Sequence, residues 1–346
     1  MRKRLKKSLG FYKKIDNVLI TPYRSYGTRN HLYLLGRALD DIPLKILEDQ
    51  SIFKTIKNTI RQFNTFEIAG AQIELEIPDL IKLSTKADDE GYFLFDKTVP
   101  QDLSLAADAE GWVKVDIRYI DALHPETKLE KDHFKGELLI PEPEAEYGVI
   151  SDIDDTILHT GVTSFFKLRL LKNSLLTNAY ERISLKGAPE LYQKLHLGKS
   201  GKNKNPMFYL SNSPWNLYQY LKLFLDFNNF PKGPILLRNF RTPFDRSLKP
   251  EKPHKQKEII NILRTYPDLN FILIGDSGEH DASIYTDIAV QFPERILAIY
   301  LRSVNHKRQM QRVQSIVDSF ETTPVLMTDS SKEAEEHARK SGFILL

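Results

Sequence analysis

Between residues 147 and 346 the chain repeats one pattern: a short apolar run breaks off at a polar residue, and a stretch with helical spacing follows. Tyr147–Ser151 runs into Asp152, Met207–Leu210 into Ser211, and Phe271–Ile274 into Gly275 and Asp276, with Ile296–Leu301 and Val325–Met327 after them. The helical stretches are Pro214–Asp226, Lys255–Arg264 and Ser330–Lys340. Strands that alternate with helices predict a parallel sheet in a doubly wound α/β fold. Ligands in such folds sit beyond the carboxyl ends of the strands. Three of these runs end there in Asp152, Ser211 and Asp276.

Residues 30–140 follow a different period. Ala71–Ile77 and Trp112–Tyr119 alternate apolar and polar residues, as half-buried strands do. The Asp-Asp-Glu-Gly turn inside Lys86–Phe95 predicts a hairpin. Ile52–Phe63 has helical spacing and is expected to pack beside the strands. This half reads as a smaller, mainly-β sandwich with no visible catalytic constellation. The polar, Pro-containing Pro141–Glu146 is the expected linker, dividing a domain of residues 1–146 from one of residues 147–346.

Composition narrows the chemistry. The 346 residues contain no cysteine, which removes disulfides, thiolate nucleophiles and Cys-type zinc sites. No uncharged apolar run approaches the ~20 residues of a membrane helix. Seven of the 49 Lys and Arg fall in residues 1–14, which hold no acid, so the remaining 42 face 46 Asp and Glu. The basic character thus belongs largely to one terminal tail. No apolar run of the signal-peptide kind follows that tail, and the cytoplasm is the expected setting.

The most specific string is Asp152-Ile153-Asp154-Asp155-Thr156 at the end of an apolar run. Side chains alternate along an extended chain, so Asp152 and Asp154 point to one side. Adjacent anions repel, and a divalent cation relieves them; magnesium takes a few carboxylates plus waters and phosphate oxygens. Ser211, in Ser211-Asn212-Ser213-Pro214, sits at a strand end before a Pro at the expected first helical position, a place suited to oxyanion contact. Asp276 sits in a glycine turn with Asp281 five residues on, and Lys255 opens a helix where its charge can face a phosphoryl group. Each alone reads equally well as an acidic turn, a helix cap or a surface lysine. Their order, Asp-x-Asp, Ser, Lys, Asp, each at a strand end or helix start, is what carries the specificity.

That order resembles the haloacid dehalogenase superfamily, whose fold is a doubly wound parallel sheet. Residues 147–346 are more closely similar to the phosphatidate phosphatase catalytic domain first associated with yeast actin-patch proteins and distantly similar to lipins. The matching stretches are Gly148–Leu158, Phe208–Asn216, His254–Ile259 and Phe271–Tyr285; Tyr23–Thr28 and Leu34–Leu39 resemble the sandwich that precedes this domain in bacterial relatives. Glu279, where the family more often has Gln, and the DASIY string at Asp281–Tyr285 depart from the pattern and leave the carboxylates in place.

The resemblance implies a magnesium-dependent phosphomonoesterase that converts phosphatidate to diacylglycerol and phosphate. It implies Asp152 as nucleophile, forming an aspartyl-phosphate, and Asp154 as acid and then base. Ser211 and Lys255 would bind phosphoryl oxygens, with Lys257 the alternative to Lys255. Asp152, Asp276 and the Asp154 backbone carbonyl would hold Mg2+, and Asp281 would be a further ligand or would orient Asp276. Thr156 is expected to stabilise the turn, and Asp155 to be structural.

Residues 161–204 hold nine Lys/Arg against two acids and residues 232–257 eight against two; read as inserts flanking the catalytic strands, they are expected to make the mouth of the site positive and suited to an anionic substrate. Phe165–Leu176 reads either as a cap helix or as a basic amphipathic contact with lipid. With the basic tail it would give peripheral attachment to an anionic membrane. The rival readings are a phosphatase of a soluble phosphometabolite, a nucleic-acid end-processing enzyme, and a non-catalytic membrane adaptor. Nucleic acid is disfavoured, because no basic motif interleaved with aromatics is present.

Overall fold

The structure, a computed structural model, describes residues 18–40, 66–120, 133–154, 156, 187–238, 253–277, 281–303, 313, 320 and 323–345. The expected helix at 52–63, the basic tail, Phe165–Leu176, Asp155 and Glu279 lie outside the described residues.

The first half forms a nine-stranded sheet. Its strands are β1 (Val18–Pro22), β2 (Ser25–Thr28), β3 (His31–Asp40), β4 (Phe66–Glu67), β5 (Gln72–Ile77), β6 (Ile81–Lys86), β7 (Tyr92–Thr98), β8 (Trp112–Tyr119) and β9 (His133–Leu139). This half is mainly β, as expected, and its strands form one connected sheet. The reason is the ten-residue β3, which pairs with β1 and β2 along one edge and with β7 and β4 along the other. The order continues β2-β9-β8-β5-β6, and the sheet curls until β6 meets β7, where Thr85 Oγ1 donates to the Leu94 carbonyl at 3.2 Å. Ile73, Leu75, Phe95, Val113, Val115 and Ile117, all fully buried, fill the inside. Each contributes about 1.5–3 kcal/mol through burial.

Two of its turns are copies of one device. Asp88 Oδ1 accepts from the amides of Glu90 and Tyr92, and Asp108 Oδ1 accepts from those of Glu110 and Trp112. Gly91 and Gly111 close the two turns at φ 78° and 75°. A Cβ on either would stand within 2.5 Å of a backbone oxygen, Ala38 O or Ile140 O, so both conformation and space require glycine.

The second half forms a six-stranded, all-parallel sheet of β10 (Tyr147–Asp152), β11 (Met207–Pro214), β12 (Ile235–Arg238), β13 (Asn270–Asp276), β14 (Ile296–Arg302) and β15 (Val325–Thr328). Its helices are α1 (Ala188–Leu197), α2 (Tyr218–Phe227), α3 (His254–Thr265), α4 (Asp281–Gln291) and α5 (Ser331–Lys340). Side chains of α1, α2 and α5 pack on one face, those of α3 and α4 on the other. The order β12-β11-β10-β13-β14-β15 grows outward in both directions from β10, so the winding reverses between β10 and β13. At that point the carboxyl ends of the strands leave a crevice. Among the described residues no helix is long and apolar enough to cross a membrane.

Three local expectations change. Pro214 ends β11, paired with Arg238 of β12, and does not open a helix; a short 3-10 turn, Trp215–Leu217, precedes α2. The basic stretch 161–204 contains α1, and 232–257 contains β12 and the start of α3, so neither is wholly an insert between core elements.

The expected linker is pinned. Asn205 Oδ1 accepts from the Glu146 amide at 2.9 Å, Asn203 Nδ2 donates to the Glu144 carbonyl at 3.0 Å, and Lys199 reaches Glu146 at 2.7 Å. The apolar clusters on both faces of the parallel sheet extend into the first half. Tyr23 and Tyr92 join one, and Tyr26, Trp112 and Leu139 join the other.

Candidate active site

Asp152 is the last residue of β10 and Asp276 the last of β13, the two strands that flank the reversal. Both are closed to solvent. Asp281 is the first residue of α4, and Lys255 the second of α3. Lys255 Nζ stands 2.7 Å from Asp152 Oδ1 and donates to Asp281 Oδ1 at 2.7 Å. Asp281 Oδ2 accepts from the Asp276 amide at 3.4 Å. This approach needs Gly275, since a Cβ there would lie 2.6 Å from Asp281 Oδ2. Thr156 Oγ1 donates to Asp152 Oδ2 at 3.3 Å.

Asp154 takes a separate position. Its Oδ2 accepts from Ser211 Oγ at 2.6 Å and its Oδ1 from Ser213 Oγ at 3.4 Å, while the Ser213 amide donates to Ser211 Oγ at 2.9 Å. The expected residues therefore fall into two adjoining groups: Asp152, Asp276 and Asp281 with Lys255, and Asp154 with Ser211. The Asp154 carboxylate is not one of the three grouped acids, which leaves its backbone carbonyl for the expected ligand role. Lys257 is exposed, and Lys255 is the lysine inside.

Three neighbours went unread in the sequence. Ser213 lies in the same Ser-Asn-Ser-Pro string as Ser211 and was open to notice. Tyr192 of α1 meets Ser151 Oγ at 2.6 Å behind Asp152, and Tyr285 of α4 donates to the Ile274 carbonyl at 3.1 Å. Tyr192 belongs to no local pattern that marks it, whereas Tyr285 closes the DASIY string of the matching stretch.

Burial pushes the Asp152 carboxyl above its usual range against the pull of Lys255, and the carboxylates of Asp281 and Asp154 push the same way. One oxygen from each of Asp152, Asp276 and Asp281 lies within 4.8 Å of the others. Buried carboxylates grouped this closely repel one another, and a divalent cation among them would offset that repulsion. Hard carboxylate oxygens in such a group are the donor set magnesium takes, so the residues present fit that ion.

Fold and site together define an α/β protein of the doubly wound class with a buried carboxylate–lysine centre at the reversal of its sheet. Residues 147–303 match the family model described as phosphatidate phosphatase APP1, catalytic domain, and the matched stretch contains every site residue. The phosphatidate phosphatase APP1 of Saccharomyces cerevisiae is 36% identical over 194 residues, 53% of this chain and 32% of the relative. An uncharacterized protein of Schizosaccharomyces pombe is 30% identical over 184 residues, 51% of this chain and 29% of the relative. The chain thus spans about a third of the length of these curated relatives. A solved Bifidobacterium dentium beta-glucuronidase aligns over 90% of this chain and 60% of its own at 9% identity, with a TM-score of 0.23, too low to bear on the fold.

Proposed function

We propose that the protein is a phosphomonoesterase that hydrolyses a phosphatidate-like lipid through an aspartyl-phosphate, on a haloacid dehalogenase-like domain. The observation that carries this reading is the division of labour at one strand end. Asp152 faces Lys255 in a closed carboxylate group, whereas Asp154, two residues on, is held by hydroxyls. An Asp152 oxygen attacks phosphorus, and the bond from phosphorus to the leaving alkoxide breaks as the Asp154 carboxyl donates its proton. Asp154, now ionised, takes a proton from the incoming water. That water attacks phosphorus and releases phosphate and the Asp152 carboxylate. Lys255 pulls Asp152 toward its ionised form against the burial that opposes it, and orients it. Ser211 and Ser213 fix the Asp154 carboxyl and line the phosphoryl side. Asp152, Asp276 and Asp281 would hold a magnesium ion, which would supply positive charge to the phosphoryl group when bound.

The name of the yeast relative supports the lipid substrate. The reading takes residues 1–146 and 147–346 as two domains, and sets the protein in the cytoplasm against an anionic membrane surface.

The test is phosphate release from phosphatidate in detergent micelles and from glycerol 3-phosphate, with and without Mg2+, beside Asp152→Asn. Faster release from the micelles, dependent on magnesium and lost in the variant, is the expected result. Release from the soluble ester alone ends the lipid assignment, and activity that survives in Asp152→Asn ends the assignment of the nucleophile.

A further inference from the structure

The geometry points to Tyr23 and Arg37 of the first half as positioning residues for the Ser211–Ser213 strand end. On this inference the N-terminal sheet is a working part of the phosphate-handling site. It rests on the reading above only for what the site does; the bracing itself stands on the contacts. The Asp154 carboxylate is held by Ser211 and Ser213. At those serines the parallel ladder gives little support: the register of β11 against β12 shifts between Leu210 and Pro214, and the pairing of β10 with β11 ends at Asp152 and Leu210. What fixes the serines from the other side is the segment directly after them.

That segment is gripped by the N-terminal sheet. Trp215 stacks on Tyr23 with ring centroids 4.0 Å apart and planes 16° from parallel, and Tyr218 lies 4.7 Å from the same ring. Arg37 Nη1 donates to Asn216 Oδ1 at 3.3 Å. The Arg24 amide donates to Tyr218 Oη at 2.7 Å, and its guanidinium bonds Asp226 at 3.0 and 3.3 Å and Glu137 at 3.1 Å.

The grip is itself rigid. Arg37 also bonds Glu67 and the Glu90 carbonyl and lies over the Tyr92 ring at 4.5 Å. Tyr23 and Arg24 occupy the break between β1 and β2. Pro22 pairs with Gly36 but Tyr26 with Tyr33, so the edge carries one extra residue there, as a bulge does. The bulge turns the Arg24 amide outward to α2. Only Pro214 separates the residue stacked on Tyr23 from the residue bonded to Asp154. A displacement of about 1 Å at such a group costs up to about 100-fold in rate.

The experiment compares full-length wild type with Tyr23→Ala, Tyr23→Phe and Arg37→Gln. It follows amide exchange across residues 207–218, and phosphate release from phosphatidate micelles over a range of pH. The expected result has three parts. Amides of 211–217 exchange at least about tenfold faster in Tyr23→Ala and Arg37→Gln while β8 is unchanged. The kcat of both falls at least about tenfold with KM within about twofold. Tyr23→Phe, which keeps the stack, restores both readouts. Wild-type exchange and turnover in folded Arg37→Gln and Tyr23→Ala overturn the inference, and Arg37→Gln alone decides it where Tyr23→Ala fails to fold. If wild type releases no phosphate from any ester, the functional reading has failed, and the exchange readout still decides the bracing.

Discussion

The ammonium of Lys255 stands 2.7 Å from Oδ1 of Asp152, and both side chains are closed to solvent, at 1% and 0% exposure. The same ammonium is bonded to Asp281. One buried cation thus serves two of three clustered carboxylates, so its removal is expected to act on folding as well as on chemistry.

Lys255→Met removes the ammonium that pairs with Asp152 and Asp281. Breaking a buried ion pair from one side costs about 3–5 kcal/mol. The loss is expected in urea denaturation at pH 7 and should shrink at pH 5, because burial raises the Asp152 carboxyl above its usual range and lower pH favours its neutral form. An equal loss at both pH values would show that packing, not charge, is responsible.

Asp152→Asn works in the opposite sense. It removes one charge from a crowd whose mutual repulsion and burial already push Asp152 toward its neutral form. Phosphate release should vanish while stability without divalent ions stays level or rises by about 1 kcal/mol. A variant that is inactive because it is unfolded would contradict this assignment.

Magnesium should raise the melting temperature of wild type in a concentration-dependent way, because an ion that binds only the folded chain stabilises it. Asp276→Asn replaces one of the three grouped carboxylates with a neutral amide and should weaken that response by at least about tenfold in magnesium concentration. Identical titrations of the two proteins would place the ion elsewhere.

Glu258 and His254 make the fold sensitive to pH in opposite directions. Burial raises Glu258 from 4.5 to about 7, with Lys257 pulling it down. Its contribution to stability is therefore full below pH 4.5 and is lost as pH rises through about 7. Burial lowers His254 from 6.5 to about 4, so its contribution is present above pH 6.5 and is lost as pH falls through about 4. Between these limits the two slopes oppose each other. Glu258→Gln should stabilise the protein relative to wild type at pH 8, by about 1–2 kcal/mol, and much less at pH 5. A difference that does not change with pH would mean that Glu258 titrates as an ordinary surface acid.

Gly91→Ala and Gly111→Ala test the paired turns. Each forces a Cβ into a backbone oxygen at positive φ, and each is expected to cost about 2 kcal/mol or more. The turn residues lead directly into Tyr92 and Trp112, which bury against opposite faces of the parallel sheet. Both variants should therefore lower the unfolding midpoint of the whole chain.

Much of this fold is legible locally. The β8 strand and the turn closed by Asp88 and Gly91 follow from alternation and turn chemistry within about ten residues, but the expected hairpin does not form, because the flanking strands β6 and β7 pair with β5 and β3 instead. The central strands β10 and β13 follow from their unbroken apolar runs. The second copy of the turn, at Asp108, was equally visible and went unread. Pro214 misled, because the local preference of a Ser-x-Ser-Pro string for a helix start lost to pairing with Arg238 and to the stacking of Trp215 on Tyr23. The four-residue β12 was too short to stand out among basic neighbours.

The string of residues alone determined the chemistry available: which acids close strands, which hydroxyls and which lysines stand near helix starts, and the parallel order that brings strand ends to one side. These are properties of short segments, set by side-chain alternation and apolar spacing. Tertiary structure alone decided that Lys255 rather than Lys257 enters the centre, since the two point to different sides of α3. It also decided that Asp154 turns to serines 57 and 59 residues away, and that Tyr23 braces Trp215. Those outcomes depend on which buried charges are brought close enough to offset one another, and that is settled only when distant segments share the same desolvated space.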